Sequence, residues 1–296
     1  MNKAQFVIFL TLFIAACSQP ETTASLKAKI EDRLSAADGV FAVAFRDLQS
    51  GEEILINPHE PFHAASTMKT PVMIEVYKQA AAGKWSLTDS IEIRNEFRSI
   101  VDGSPFSLSI GDDSEEVLYK RVGQKSTLYD LVYDMITVSS NLATNIVIEL
   151  VDARNVTQTM RDLGAKDIVV LRGVEDSKAF ELGLNNSTTA YDLMLIFDQL
   201  ALGKCVSPEA SDGMIGILVQ QKFREIIPAL LPEEVKVAHK TGSITGVRHD
   251  SGIVFLPDGR KYVLVLLSKE MSDEEAGIKA MAEVSKMIFD YEIRKS

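Results

Sequence analysis

Ser66-Thr67-Met68-Lys69 reads S-x-x-K, a tetrad that occurs once in the chain. Apolar residues recur at helical spacing from 68 to 82, so the tetrad stands at the start of a predicted helix. Ser66 and Lys69 are three positions apart and would therefore point to the same side of that helix. A neutral lysine so placed can take the proton of the serine hydroxyl. The pattern thus predicts a serine nucleophile that needs no histidine.

Two further short motifs follow in chain order. Ser139-Ser140-Asn141 reads S-x-N at a break between two predicted helices, and Lys240-Thr241-Gly242 reads K-T-G at the end of a predicted strand. Each motif taken alone is better explained as a helix cap or as a strand end entering a turn. Because all three motifs occur once, in this order and at the ends of elements, together they favour one shared catalytic site.

The three motifs together resemble those of the class A β-lactamases and penicillin-binding proteins. Residues 135–145 are similar to the sequence around that family's second motif, and residues 187–190 are similar to the end of its omega loop. The resemblance extends from about residue 25 to residue 293. It implies a serine hydrolase that forms an acyl-enzyme and then hydrolyses it.

The resemblance assigns the reacting groups as follows. Ser66 would attack an amide or lactam carbonyl, and Lys69 would serve as its base or as part of the proton network. Ser139 would pass a proton to the leaving nitrogen. The cycle requires no metal or cofactor, and none is expected.

The same resemblance implies a set of substrate-binding residues. Asn141 would hold the amide of the substrate's side chain, and Lys240 with Thr241 would hold its carboxylate. Gly242 and Ser243 are the other predicted substrate-binding residues. The oxyanion hole would consist of the backbone N–H groups of the nucleophile and of Ser243, and such a donor is worth roughly 3–4 kcal/mol.

The base for the second half of the cycle has two candidates. Class A enzymes carry a glutamate in the omega loop, shortly after an arginine and within an E-x-x-L-N pattern, where it activates water. Glu175 follows Arg172 at nearly that distance but is not followed by Leu-Asn, whereas Glu181 begins a literal E-x-x-L-N late in the loop. We favour Glu175. The alternative for either glutamate is a solvated loop carboxylate or an ion pair with Arg172.

The sequence departs from the family pattern in two places. Ser140 occupies the middle of S-x-N, where the family usually has aspartate. Segment 101–126 is acidic, loop-like and longer than the family's typical connection. We expect this segment to overhang the cleft and to alter the choice of substrate.

Strand patterns lie at both ends of the chain and helical patterns lie between them. Predicted strands near 40–56 and 235–267 combine with predicted helices at 25–37 and 273–293. This order indicates an α/β fold of the α+β type, an antiparallel sheet formed from both chain ends and flanked by helices. Residues 25–60 plus 206–296 would form this α/β domain, and residues 61–205 an inserted all-helical domain, with the site in the cleft between them.

The first residues are predicted to target the protein rather than to join the fold. An apolar run from Phe6 to Ala16 after Lys3 is typical of a signal peptide, and Ile14-Ala15-Ala16-Cys17 resembles a bacterial lipobox. Residues 1–17 would be the signal and lipobox, and residues 18–24 a polar tether. Lipidation at Cys17 would anchor the protein to a membrane in the periplasm or cell envelope.

Composition excludes several classes of protein. A formal net charge of −11 without a basic block argues against nucleic acid as a partner. Cys205 is the one cysteine besides Cys17, so a cysteine-based zinc site is excluded. His59 and His63 are interpreted as loop residues rather than metal ligands. His249-Asp250 could line the cleft, but we favour the alternative of a turn or strand end. A monomer is expected.

The motifs leave three functions open. The first is a class A-like β-lactamase, and the second is a D-alanyl-D-alanine peptidase or esterase on the same scaffold. The third is a penicillin-binding sensor that is acylated without turnover. A β-lactam or a peptidoglycan-like peptide is the expected substrate.

Overall fold

The computed structural model of the protein describes residues 21–295. The helices of this part are α1 (Thr23–Ser35), α2 (Lys69–Ala81), α3 (Leu128–Thr137), α4 (Asn141–Val151), α5 (Ala153–Asp162), α6 (Ser177–Glu181), α7 (Ala190–Ala201), α8 (Pro208–Leu218) and α9 (Glu274–Arg294). None of them is long and apolar enough to cross a membrane.

The strands form one large sheet and three short pairs. They are β1 (Val40–Asp47), β2 (Glu53–Ile56), β3 (Phe62–His63), β4 (Ser90–Glu92), β5 (Phe97–Arg98), β6 (Pro105–Phe106), β7 (Lys125–Thr127), β8 (Ser187–Thr188), β9 (Lys236–Ile244), β10 (Val247–Phe255) and β11 (Lys261–Lys269). The large sheet has the order β2-β1-β11-β10-β9, and every neighbouring pair is antiparallel. The predicted fold class is therefore confirmed.

The two faces of the sheet pack into different cores. Phe41, Val43 and Phe45 of β1 lie in the core formed with α1 and α9. Ala42 and Ala44 alternate with them and face the core that includes α7. The small side chains on the second face allow helix α7 to pack directly on the strand.

The helices between the two strand regions pack around α2. Helix α2 is buried along most of its length and contacts α3, α4, α5 and α8. Helix α8 follows the predicted boundary at residue 205 yet packs in the same core as α7. The domain limits remain a prediction, and this core continues past residue 205.

Three boundaries differ from the sequence predictions. Helix α1 begins at Thr23 rather than 25, because the Thr22 hydroxyl accepts the Ser25 N–H at 3.2 Å. Strand β9 continues past K-T-G to Ile244, and His249-Asp250 lies within β10, so the predicted turn is wrong. The apolar pattern did not indicate this hairpin because many of its residues are polar. Its two strands pair through backbone hydrogen bonds, in a register that starts at Val247↔Ile244.

Candidate active site

Ser66 lies in a strained turn immediately before α2. The turn is a 3-10 helix over Ala65–Met68, and Ala65 has a φ of 45°, which is uncommon for a residue with a side chain. The Ala65 N–H donates to His63 Nδ1 at 3.0 Å, which fixes the turn from the preceding strand. Left-handed backbone of this kind clusters at functional sites.

Lys69 begins α2 and its ammonium group is fully buried. Its Nζ donates to the Ser139 carbonyl at 2.8 Å, to Ser139 Oγ at 3.2 Å and to Asn141 Oδ1 at 2.9 Å. Burial lowers the pKa of Lys69 from 10.5 to about 7, although the nearby charges of Asp113 and Glu175 oppose the shift. A lysine with such a pKa can act as a base near neutral pH.

The Ser139 hydroxyl lies between two lysines. Besides its contact with Lys69, Ser139 Oγ accepts from Lys240 Nζ at 3.1 Å, and Lys240 also donates to the Thr241 carbonyl at 3.0 Å. Lys240 is fully buried, and burial together with the charge of Lys69 holds its pKa well below 10.5. This geometry places one hydroxyl where it can pass a proton between the two lysines and the cleft.

Glu175 lies beside the S-x-x-K and S-x-N motifs. Its Oε1 accepts from Asn141 Nδ2 at 2.8 Å. Half-burial raises the pKa of Glu175 above 4.5, with a further rise from the charge of Asp113. Glu175 itself has a φ of 62°, so the loop presents it in a constrained conformation.

The loop that carries Glu175 is fixed from both sides. Arg172 donates to the Leu184 and Gly173 carbonyls and to Asn185 Oδ1, at 2.9–3.0 Å. Asn145 of α4 accepts the Val174 N–H at 2.6 Å and donates to the Val174 carbonyl at 3.0 Å. The Arg172 guanidinium donates to these loop oxygens and forms no ion pair with Glu175. The alternative that Glu175 is the partner of Arg172 in an ion pair is therefore wrong.

Glu181 occupies a different environment from Glu175. It is the last residue of α6 and its side chain is exposed. It lines the outer part of the cleft, whereas Glu175 contacts Asn141. Of the two glutamates, the structure places only Glu175 in hydrogen-bond contact with a motif residue.

Strand β9 forms the opposite wall. A Cβ on Gly242 would lie 3.2 Å from the Ser66 nitrogen and from the Ala65 Cβ, so glycine lets the strand approach the nucleophile. The Ser243 hydroxyl accepts from Arg248, which also pairs with Glu274 at the start of α9. Arg248 thus connects Ser243 of β9 to the start of α9.

The cleft has two lobes that meet at Ser66, Asn141 and Ser243. One lobe, of about 510 Å³, is also lined by Ser139 and Thr241. The other, of about 420 Å³, is lined by the loop that carries Glu175. Asp112 and Ser114 of the predicted overhanging segment line the first lobe. Ser66, Ser139, Asn141, Thr241, Gly242 and Ser243 of the predicted site therefore line the first lobe, while Lys69 and Lys240 lie buried behind Ser139.

Other predicted residues lie as follows. Cys17 lies outside the described residues, and Cys205 is buried. His59 lies 3.9 Å from Asp167 at the surface. Within residues 21–295, no cluster of three or more His, Cys, Asp or Glu side chains could hold a metal ion.

A model of the beta-lactamase enzyme family matches residues 25–292. The chain belongs to this beta-lactamase family. It is 26% identical to the beta-lactamase PSE-4 of Pseudomonas aeruginosa over 266 residues, which cover 88% of this chain and 87% of PSE-4. It is 24% identical to the extended-spectrum beta-lactamase PER-1 of the same organism over 302 residues, 96% of this chain and 94% of PER-1.

Solved structures of similar proteins agree with this assignment. A beta-lactamase from Sphaerobacter thermophilus is 28% identical, superimposes with a TM-score of 0.77, and is matched over 89% of this chain and 96% of its own. PBP-A is 25% identical with a TM-score of 0.77, over 91% of this chain and 96% of its own. The resemblance to the class A beta-lactamase family is confirmed.

The motifs did not identify every residue of this beta-lactamase-family site. Asp113 bonds the first turn of α4, and Asn145 holds the loop before Glu175. His249 is fully buried and its Nε2 bonds the His63 carbonyl at 2.9 Å. For Asp113 the sequence signal was an acidic loop-like segment, which did not indicate a contact with α4.

Proposed function

We propose that this protein is a class A-like serine β-lactamase that opens the β-lactam amide through an acyl-enzyme on Ser66. One observation carries the proposal. Asn141 accepts from Lys69 and donates to Glu175, beside the cleft that Ser66 lines. The site therefore combines a base for acylation with a carboxylate for deacylation, and each has a pKa shifted toward neutrality.

Acylation uses the two buried lysines and Ser139. Ser66 Oγ forms a bond to the lactam carbonyl carbon while its proton passes to neutral Lys69. The C–N bond then breaks as the proton passes from Lys69 to Ser139 Oγ, along their 3.2 Å contact, and from that hydroxyl to the leaving nitrogen. Lys240 donates to the same hydroxyl at 3.1 Å and would keep it oriented. Backbone N–H groups of Ser66 and Ser243 would stabilise the oxyanion.

Deacylation uses Glu175. A water molecule between the carboxylate and the acyl carbon would lose its proton to Glu175 as its oxygen bonds that carbon. The bond from the carbon to Ser66 Oγ then breaks, and a proton returns to the serine. A positioned base of this kind contributes typically 10²–10⁴-fold to a rate. The bond to Asn141 supports the assignment of Glu175 rather than Glu181.

Substrate binding uses β9 and α4. Thr241 lines the first lobe and Lys240 is buried directly before it in β9, so the two would hold the substrate carboxylate as a cation beside a hydroxyl does. Asn141 would hold the side-chain amide of the acyl group. Gly242 supports this role because it allows β9 to lie directly against the Ser66 turn.

The test is hydrolysis of a chromogenic cephalosporin by the purified protein, with Ser66→Ala as the control. Turnover that is lost in the variant supports the proposal. Acylation of Ser66 without turnover would instead favour the sensor. If the protein shows neither turnover of the cephalosporin nor acylation by it, but cleaves a D-alanyl-D-alanine peptide, the peptidase is favoured.

We further propose that the protein is a lipid-anchored monomer of the periplasm or cell envelope. The proposal is supported by the lipobox-like sequence that ends at Cys17. Metabolic labelling with a fatty acid, compared between the wild type and Cys17→Ser, tests it. Label in the wild type alone is expected, and label in both would contradict the assignment.

A further inference from the structure

We propose that Asp113 is a positioning residue that holds the first turn of α4, and with it Asn141, in the geometry the reaction needs. The inference rests on the proposed function, because Asn141 belongs to that site. The two carboxylate oxygens of Asp113 lie 3.0 Å and 2.9 Å from the Asn141 nitrogen, and one of them also accepts the Leu142 N–H at 3.0 Å.

The start of α4 requires such an acceptor. The first N–H groups of a helix have no partner within the helix, and its N-terminus favours a negative charge. The Ser140 hydroxyl caps the helix by accepting the Ala143 N–H at 3.2 Å. The N–H groups of Asn141 and Leu142 are instead satisfied by the Asp113 carboxylate, 28 and 29 residues earlier in the chain.

Asp113 is itself held firmly. The Tyr119 hydroxyl donates to its carboxylate at 2.9 Å, and the neighbouring Ser114 Oγ donates to the Val138 carbonyl at 2.6 Å. Segment 109–119 is thereby docked on the junction between α3 and α4. These contacts hold the Asp113 carboxylate in one position, unlike a mobile surface charge.

The position of Asn141 affects both halves of the cycle. Its side chain links Lys69 and Glu175 at 2.9 Å and 2.8 Å. A small displacement of α4 would therefore disturb acylation and deacylation together, and a 1 Å misplacement can cost about 10²-fold in rate.

Asp113 also contributes a charge that faces the reacting groups. Asp113 and Glu175 raise the pKa of Lys69, while burial lowers it, and Lys240 is the cation that faces Lys69 across Ser139. Removal of the Asp113 charge should therefore lower the pKa of Lys69. A residue that merely stabilised the loop would leave that pKa unchanged.

The test compares Asp113→Asn and Asp113→Ala with the matched control Glu116→Ala. Glu116 is a carboxylate of the same segment whose side chain is 68% exposed and lies 3.8 Å from Lys120. We expect both Asp113 variants to acylate and deacylate about 10²-fold more slowly. The Asn141 and Leu142 amides should exchange hydrogen about tenfold faster or more. The control should match the wild type in both measurements.

A pH profile completes the test. In Asp113→Asn, the acidic limb of the acylation rate should move by about one unit to lower pH. Acylation and deacylation rates that match the wild type would overturn the proposal. Lower rates would also overturn it if amide exchange and the acidic limb of the pH profile were both unchanged. If the wild type is neither acylated nor active, the proposed function fails, whereas faster exchange in Asp113→Asn would still show that the carboxylate holds α4.

Discussion

Asn141 Nδ2 donates to Glu175 Oε1 at 2.8 Å, which joins the S-x-N motif to the loop that carries the candidate deacylation base. We expect Glu175→Gln to keep this contact through its amide oxygen while it removes the base. Deacylation should fall about 10²–10⁴-fold with little change in acylation. Rapid mixing with a chromogenic cephalosporin would then show a burst followed by slow turnover.

Glu181→Gln is the matched control for this prediction. Glu181 is exposed at the end of α6, so its variant should turn over substrate like the wild type. A burst in Glu181→Gln and normal turnover in Glu175→Gln would reverse the assignment of the two glutamates.

The pKa of Lys69 predicts a pH dependence for acylation. Burial lowers this pKa to about 7, and the neutral amine is the form that accepts the serine proton. The acylation rate should therefore rise with pH through about 7 and level off above it. Single-turnover rates measured about two units to either side of pH 7 test this expectation. A flat profile would mean that Lys69 is not the base.

Gly173 should be required for the position of the Glu175 loop. A Cβ at this residue would lie 2.1 Å from Asn145 Oδ1, so Gly173→Ala must displace the loop or the asparagine. We expect deacylation to fall at least about tenfold, and more than acylation does. Gly216→Ala is the matched control, because its Cβ meets open space within α8. Equal kinetics in the two variants would contradict this account of the loop.

His249 should make the stability of the fold depend on pH. Burial lowers its pKa from 6.5 to about 4, so between these values the unfolded chain binds a proton that the folded protein does not. The free energy of unfolding should therefore fall, by about 3 kcal/mol from this group, as the pH drops from above 6.5 to 4. Urea unfolding at several pH values measures this loss.

His249→Gln is the control for the stability measurement. Its amide can still donate to the His63 carbonyl, which His249 Nε2 bonds at 2.9 Å, but it does not titrate. The pH slope of the variant should be smaller than that of the wild type between pH 4 and 6.5. Identical slopes would show that another group causes the loss.

Local patterns were sufficient to predict the sheet and the helices that carry the motifs. Apolar periodicity and caps such as Thr127 and Thr189, whose hydroxyls accept from Asp130 and Asp192, depend on neighbours in sequence. The β9–β10 hairpin was not predicted, because its strands meet through polar residues that pair by backbone bonds. The register of such a hairpin is not encoded in an apolar pattern.

Within the site, the sequence predicted only those neighbours that a short spacing along the chain brings together. Ser66 and Lys69 share a helix start, so their proximity follows from geometry alone. The contact between Asn141 and Glu175 spans 34 residues and depends on a loop with a left-handed backbone, which is why two glutamates remained open. Asp113 reaches α4 from an irregular segment, and no periodic pattern marks such a contact.

The acyl-Ser66 mechanism is tested most directly by the intact mass of Glu175→Gln after mixing with a penicillin, followed by mapping of the modified peptide. We expect a long-lived adduct equal in mass to one whole penicillin, on the peptide that contains Ser66, and no adduct when Ser66→Ala is added. An adduct on another residue, or none in the presence of turnover, would contradict the acyl-Ser66 mechanism.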